Sequence, residues 1–164
     1  MTNIYFASPL FSTMEKNYNE WLVKQIRESY KEVSVYLPQE QMEINDKNSY
    51  ADSKMIATYD TKALLNSQLM IAVLDGVSID VGVASEIGVA SEIGVAYQAG
   101  IPIIGLFTDS RQQGADNQQK ITALQDVAES QFPYVNLYTI GLIKLNGVVV
   151  NSEELLLKTI ATYI

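Results

Sequence analysis

Apolar residues recur along the chain with two alternating periods, which predict strands and helices in turn. Short apolar runs typical of strands are separated by segments whose apolar residues return every three or four positions. The predicted strands are Ile4–Ala7, Val33–Leu37, Leu69–Leu74, Pro102–Phe107 and the region Val135–Leu145. The predicted helices follow a capping box at Ser12–Glu15, then cover about Ser49–Asn66, about Val83–Ala99, a segment with Ile121, Leu124 and Val127 inward, and a last helix capped by Asn151–Glu154 that runs through Ile164.

This alternation predicts an α/β fold: a single-domain, doubly wound parallel sheet of about five strands with helices on both faces, flavodoxin-like or Rossmann-like. The run Leu69–Leu74 is apolar throughout, as expected of a strand covered on both faces. A length of 164 residues without a linker suits one domain over residues 1–164. Ligands bind such sheets at the carboxyl ends of the strands, so we expect the chemistry there.

Composition excludes several classes of function. The chain has no His and no Cys, which excludes a thiolate nucleophile, a Ser-His-Asp triad and an ordinary zinc site. A net charge of −8 argues against binding a nucleic acid polymer. The longest apolar runs are too short to cross a bilayer, and the start at Met1 has no secretion-signal pattern, so a cytoplasmic protein is expected. No glycine-rich phosphate-binding turn follows the first strand, where Ala7–Leu10 stands instead.

Polar side chains gather where the predicted strands end. Each one alone is more often a solvated loop residue, but their convergence on one edge of the sheet favours a site. The set is Tyr5, Ser8 and Pro9, Gln39 and Glu40, Asp75, Asp80 and a glutamate on the following helix, Asp109 and Arg111, and Asn136 and Tyr138.

The helix after the third strand begins with a tandem repeat. Gly82–Ile87 recurs as Gly88–Ile93, and Gly94–Ala96 begins a third copy. An in-frame duplication at a helix start explains this better than a solenoid repeat, whose period is longer. Each glycine inside a helix costs about 1 kcal/mol relative to alanine, which indicates that close approach to the sheet or to a partner helix matters here. Six residues rotate a helix by roughly 240°, so Glu86 and Glu92 point about 120° apart and at most one of them faces the site.

Four stretches carry a resemblance to a known family. They are Ile4–Phe11, Tyr59-Asp60, the segment from Ala72 to Gly82 with the Glu-Ile-Gly-Val-Ala helix after it, and Asn136–Ile143. Together they resemble the nucleoside 2-deoxyribosyltransferase family over nearly the whole chain. The first and third stretches are specific in combination, whereas any one of the four alone is a weak signal.

The resemblance implies a two-step, retaining transfer of 2-deoxyribose between nucleobases. The helix glutamate would attack C1′ and expel the base, and a second base would then attack the covalent intermediate. Tyr5 would hydrogen-bond the glutamate, Asn136 would bind the sugar hydroxyl side, and Asp60 and Asp80 would hold the base or sugar, one of them lending a proton to the departing ring nitrogen. The remaining predicted substrate contacts are Ser8, Pro9, Phe11, Gln39, Asp75, Gly82, Asp109, Arg111 and Tyr138.

This chemistry needs no metal or coenzyme. The implied partners are small-molecule deoxynucleosides and free nucleobases, with no nucleic acid polymer and no membrane, and the family resemblance suggests a homo-oligomer. The chemistry also agrees with elementary electrostatics. A carboxylate in the first turn of a helix is favoured as the anion by about 0.3–1 kcal/mol, and a phenol can donate to it without adding charge.

The duplication leaves two candidate nucleophiles. Counted forward from Asp80, Glu86 has the family's spacing; counted back from Gly100–Pro102, Glu92 has it. The return from this helix to the next strand looks tight, whereas a loop before the helix absorbs an insertion cheaply, which favours Glu92. So abrupt an insertion could also damage activity.

Two other functions fit the same residues. If water is the acceptor, the protein is an N-glycosidase of deoxynucleosides or deoxynucleoside 5′-monophosphates. Ser8 and Ser12 could bind a phosphate, but no Lys or Arg accompanies them, which favours the transferase. The other reading is a non-catalytic nucleoside- or nucleotide-binding module, in which the tyrosine and glutamate are incidental.

Overall fold

The computed structural model describes residues 1–41, 52–75, 87–108 and 137–164. Its elements, with our labels, are β1 (Thr2–Ala7), α1 (Thr13–Ser29), β2 (Val33–Tyr36), a 3-10 turn (Pro38–Glu40), α2 (Ser53–Leu65), β3 (Leu69–Val73), α3 (Ile87–Gln98), β4 (Ile103–Leu106), α4 (Leu137–Asn146), β5 (Gly147–Val150) and α5 (Glu153–Ile160). The predicted helix around Ile121, Leu124 and Val127 lies outside the described residues, as do the first residues predicted for α2 and α3.

The five strands form one parallel sheet in the order β2-β1-β3-β4-β5. This order confirms the predicted doubly wound α/β fold. β1 has β2 on one side and β3 on the other, so the chain reverses its direction of winding at β1. In the register of β1 and β2, Tyr5 lies opposite Tyr36, which places their side chains next to each other on one face of the sheet.

Alternate residues of the strands supply two separate hydrophobic cores. On the first face Ile4 and Phe6 pack with residues of α1 and α5, such as Leu22 and Leu156. On the second face Tyr5 and its strand neighbours pack with residues of α2, α3 and α4: Leu64, Ile93 and Ile143. Helices therefore cover both faces, as predicted, and Tyr5 points towards α3.

Helix α1 begins as the sequence indicates. The Ser12 hydroxyl accepts from the Glu15 backbone, and the Glu15 carboxylate accepts from the Ser12 backbone, which completes the predicted capping box. Helix α5 is likewise capped by Ser152, although it ends at Ile160 instead of Ile164.

The prediction of a last strand over Val135–Leu145 is wrong. Residues 137–146 form helix α4, and the strand is Gly147–Val150, paired with β4. Short apolar runs fit a strand or a buried helix equally well, and here tertiary packing decides, because Ile140 and Ile143, three residues apart, both pack into the second core. Gly147 marks the true strand start: a Cβ there would lie 1.9 Å from the Ile103 carbonyl oxygen, so only glycine allows the close approach.

Within the described ranges, no helix combines the length and the apolar character that a membrane span requires.

Candidate active site

Tyr5 and Glu92 meet at the centre of the second face. Tyr5 lies in β1 with its side chain fully buried, and its hydroxyl donates a hydrogen bond of 2.5 Å to Glu92 Oε1. Glu92 lies in α3, next to Ile93, which is itself fully buried against the sheet. The structure thus brings Glu92 to Tyr5. Glu86 lies outside the described residues.

A second phenol–carboxylate pair lies beside the first. The Tyr36 hydroxyl, at the end of β2, donates to Asp60 Oδ1 of α2 at 2.9 Å. The rings of Tyr5 and Tyr36 are stacked, with centroids 5.4 Å apart and planes 14° from parallel. Strands β1 and β2 thus present two phenols side by side, each holding one carboxyl group from a covering helix.

Burial dominates the electrostatics of this four-residue group, Tyr5, Tyr36, Asp60 and Glu92. Desolvation raises the pKa of Glu92 to about 7, the hydrogen bond from Tyr5 opposes that rise, and the charge of Asp60 adds to it. Desolvation also raises the pKa of Asp60, against the hydrogen bond from Tyr36. The pKa values of both phenols are raised, first by burial and then by the neighbouring carboxylates, so both hydroxyls remain donors at neutral pH.

The two carboxyl groups have no cationic partner in the described part of the chain. Their hydrogen bonds within the described ranges engage one oxygen of each group, Glu92 Oε1 and Asp60 Oδ1. Two carboxyls that share a poorly solvated space titrate as a coupled pair, which favours one ionised and one protonated group. This arrangement can provide an anionic nucleophile and a proton donor at once.

Asp75, at the end of β3, is engaged by the neighbouring strand end. Its carboxylate accepts from the backbone N–H of Thr108 at 2.8 and 3.0 Å and from the Thr108 hydroxyl at 2.9 Å. Asp75 therefore ties the ends of β3 and β4 together at the edge where the sequence places the site.

Gln39 is turned towards α1. Its side-chain oxygen accepts from Asn19 at 2.9 Å, and its amide nitrogen donates to the Lys16 carbonyl at 3.0 Å. Asn19, almost fully buried, also donates to the carbonyl of Pro9 at 2.8 Å. Gln39 and Asn19 together fix the chain segments that follow β2 and β1.

Ser8 lies directly after β1 and is buried, and its hydroxyl has no hydrogen-bond partner among the described residues. Two other sequence-assigned residues are far more open: the exposed fractions of Phe11 and Tyr138 are 74% and 76%. Tyr138 lies near the start of α4, not on a strand, which follows from the error in the last strand. The other assigned positions lie outside the described residues: Asp80, Gly82, Asp109, Arg111 and Asn136.

Three residues of this region were not predicted from the sequence: Tyr36, Asn19 and Thr108. Tyr36 carried a usable signal, since it is an aromatic residue at the carboxyl end of a predicted strand. Asn19 carried one as well, because it is a polar residue between the inward positions Tyr18 and Leu22 of a helix. Thr108 had no comparable signal.

Across the described stretches of chain, no group of three or more His, Cys, Asp or Glu side chains is arranged to hold a metal ion.

Known proteins similar to this chain share both its sequence features and its fold. The family model for nucleoside 2-deoxyribosyltransferase matches residues 4–156. A crystal structure described only as a conserved protein from Enterococcus faecalis V583 is 60% identical, with a TM-score of 0.86 over 100% of this chain and 99% of that one. No curated protein sequence matches significantly.

Two more distant solved structures share the fold. A CMP N-glycosidase from Clostridium botulinum is 16% identical, with a TM-score of 0.52 over 99% of this chain and 100% of that one. A 2-deoxyribosyltransferase from Leishmania mexicana is 20% identical, with a TM-score of 0.50 over 66% of each chain.

Proposed function

The chain belongs to the nucleoside 2-deoxyribosyltransferase family, and from that premise we propose that it transfers 2-deoxyribosyl groups between nucleobases through a covalent intermediate on Glu92. The observation that carries this proposal is the 2.5 Å hydrogen bond from the buried Tyr5 to Glu92. It supports Glu92 as the nucleophile, because a fixed donor orients one carboxylate oxygen and stabilises the anion while the other oxygen stays available.

In the first step, Glu92 attacks C1′ of the deoxyribose as the glycosidic bond breaks. The bonding electrons leave with the base, whose ring nitrogen takes a proton from Asp60. Burial raises the pKa of Asp60 above its ordinary value, which makes its protonated form more accessible than that of an exposed aspartate. The product is a glycosyl ester of Glu92 and a free base.

In the second step, a nitrogen of another base attacks C1′ and the ester bond breaks. The electrons return to Glu92 as a carboxylate, and the incoming base gives up a proton to Asp60. Two inversions at C1′ restore the original configuration, as in retaining double-displacement reactions.

A product assay tests the overall reaction. Deoxyinosine or thymidine is incubated with the protein, with and without free adenine, and the products are separated by chromatography. Transfer predicts deoxyadenosine that forms only when adenine is present. Free base in equal amounts with and without adenine, and no new nucleoside, would contradict transfer and indicate hydrolysis; no turnover of any deoxynucleoside or deoxynucleotide would contradict both.

The duplication provides a matched pair of variants that tests the nucleophile. Glu86 and Glu92 both stand in the sequence Ala-Ser-Glu-Ile-Gly-Val-Ala, so Glu86→Gln repeats the substitution Glu92→Gln in an identical local sequence. We expect Glu92→Gln to lower kcat about 1000-fold or more, since it removes the atom that forms the bond, and Glu86→Gln to leave kcat within about fivefold. The reverse pattern, or full activity in both variants, would contradict the assignment.

A further inference from the structure

Tyr36 belongs to the four-residue group, yet it takes no part in the chemical steps of the proposed transfer. It is the last residue of β2 and only partly buried, so core packing alone does not account for a tyrosine there. Its hydroxyl is used within the site, where it donates to Asp60 Oδ1 at 2.9 Å.

The ring of Tyr36 has a second contact. The parallel register sets Tyr36 beside Tyr5, and their rings stack with centroids 5.4 Å apart. Tyr5 in turn holds Glu92. A single side chain therefore contacts the residue that orients the nucleophile and also the carboxyl on the neighbouring helix.

We propose that Tyr36 is a positioning residue for the deoxyribosyl transfer, holding Asp60 through its hydroxyl and bracing Tyr5 through its ring. The effect of Tyr36 on catalysis rests on the proposed function, whereas its contacts with Asp60 and Tyr5 do not depend on it. By occupying Asp60 Oδ1, Tyr36 leaves Oδ2 as the oxygen that exchanges the proton with the base. It also fixes the separation between α2, which carries Asp60, and β1, which carries Tyr5.

The ionisable groups around Asp60 allow the effect of Tyr36 on the pKa of Asp60 to be predicted. Among the described residues, the titratable groups that face Asp60 are Tyr36 on β2, Tyr5 on β1 and Glu92 on α3. Of these, only the Tyr36 hydroxyl donates to Asp60 in the described part of the chain. Removing that hydroxyl takes away a donor that favours the ionised carboxyl, so the pKa of Asp60 must rise.

The test uses Tyr36→Phe, which removes the hydroxyl and keeps the ring for stacking on Tyr5. Its matched control is Tyr30→Phe, because the Tyr30 hydroxyl also makes a hydrogen bond, to the Leu157 carbonyl, among residues packed on the opposite face of the sheet. We expect Tyr36→Phe to lower kcat about tenfold with KM within about twofold, since the interaction acts on the departing base, and Tyr30→Phe to leave kcat within about twofold.

Two further measurements separate positioning from a general structural effect. If Tyr36 acts through Asp60, adding Tyr36→Phe to Asp60→Asn changes kcat by less than about twofold. In addition, carbon-13 NMR titration of the Asp60 carboxyl should show a higher pKa in Tyr36→Phe than in the wild type, and no change in Tyr30→Phe.

The inference is overturned if the tenfold loss persists in the Asp60→Asn background, or if the titration of Asp60 is the same in Tyr36→Phe as in the wild type. If the wild-type protein transfers no deoxyribosyl group while Tyr36→Phe still shifts the titration of Asp60, the proposed function is overturned and the hold of Tyr36 on Asp60 is supported.

Discussion

At the scale of the single residue, two opposing effects act on the charge of the Glu92 carboxyl. Burial disfavours its charge and raises its pKa to about 7, while the hydrogen bond from Tyr5 stabilises the charge. A nucleophilic carboxylate must be ionised, yet a poorly solvated carboxylate is the more reactive one. A pKa near neutrality leaves a large ionised fraction without surrounding the carboxylate with water.

The pH profile follows from this balance. The active form has Glu92 ionised and Asp60 protonated, so kcat/KM should follow a bell-shaped pH profile in which the titration of Glu92, near pH 7, is one limb. Tyr5→Phe removes a group that lowers the pKa of Glu92, so it should move this limb to higher pH; Asp60→Asn removes the carboxyl whose charge raises the same pKa, so it should move the titration of Glu92 to lower pH. Rates measured from pH 5 to 9 for the three proteins check both signs. Shifts in the same direction for the two variants would contradict the account.

Burial of Glu92 should also cost stability at high pH. Its folded-state pKa lies near 7 against an ordinary value of 4.5, so the folded protein holds this proton more tightly than the unfolded chain does. The contribution of Glu92 to stability is therefore most favourable below about pH 4.5, and it falls as pH rises to about 7. Urea denaturation of the wild type and Glu92→Gln isolates the effect: the variant should be more stable by about 1–3 kcal/mol at pH 8, and the gap should shrink towards pH 5. A gap that widens as pH falls would contradict it.

The sequence indicates some of these residues and not others, for a physical reason. Tyr5 and a helix glutamate are recognisable because both lie in stretches that carry the family resemblance, Ile4–Phe11 and the Glu-Ile-Gly-Val-Ala helix; Glu92 itself lies beyond the first turn of α3, not within it as expected. The pairing of Tyr36 with Asp60 depends on which strand lies beside β1 and in which register, and on how α2 packs across that pair. A single sequence contains neither piece of information.

At the scale of the element, the carboxyl end of α3 is tightly closed. Its carboxyl end is a Schellman motif: the Gly100 N–H donates to the Tyr97 carbonyl, the Ile101 N–H donates to the Ala96 carbonyl, and Gly100 has a φ of +71°. β4 begins at Ile103, directly after this motif. A tight return from α3 to the next strand, as predicted from the sequence, is therefore present.

The glycines of α3 differ from the sequence-based interpretation. We expected them to allow a close approach, but a Cβ at Gly94 would meet no atom of the described residues within 4 Å. The close contacts lie elsewhere: a Cβ at Gly105 in β4 would come within 2.9 Å of Leu74. Helix glycines in a repeat can persist because they were copied, so their presence does not by itself indicate packing.

Replacement by alanine should therefore have opposite effects on stability at two glycines of this region. Gly94→Ala should stabilise the protein by about 0.5–1 kcal/mol, because it removes unfolded-state freedom within a helix and meets no obstacle. Gly100→Ala should destabilise it by about 1 kcal/mol or more, because its positive φ disfavours a side chain even where space is open. Thermal or urea unfolding of both variants measures the difference. A loss of stability in Gly94→Ala would show that this face of α3 is packed.

The wrong prediction of the last strand also concerns a single element. The apolar residues of 137–145 satisfy either period over so short a run, and only packing of Ile140 and Ile143 into the second core selects the helix. The capping signals at Ser12 and Ser152 were predictable because a cap is a local hydrogen bond, independent of the rest of the fold.

At the scale of the whole molecule, the strand order explains where the site forms. Winding reverses at β1, which lies between β2 and β3, and sheets of this kind bind ligands at the carboxyl ends of the strands next to such a reversal. Tyr5 and Tyr36 come from two of these strands, and α2 and α3 supply Asp60 and Glu92 from the face above them. The alternation of strands and helices in the sequence predicts this architecture, because parallel β-α units have few alternative topologies.

The central claim is that Glu92, oriented by Tyr5, forms the bond to C1′. Tandem mass spectrometry of the protein, quenched during turnover of a deoxynucleoside without acceptor base, tests it most directly. We predict a deoxyribosyl ester whose fragment ions assign it to Glu92, absent in Glu92→Gln and retained in Glu86→Gln. An ester on Glu86, or undiminished turnover by Glu92→Gln, would contradict the claim.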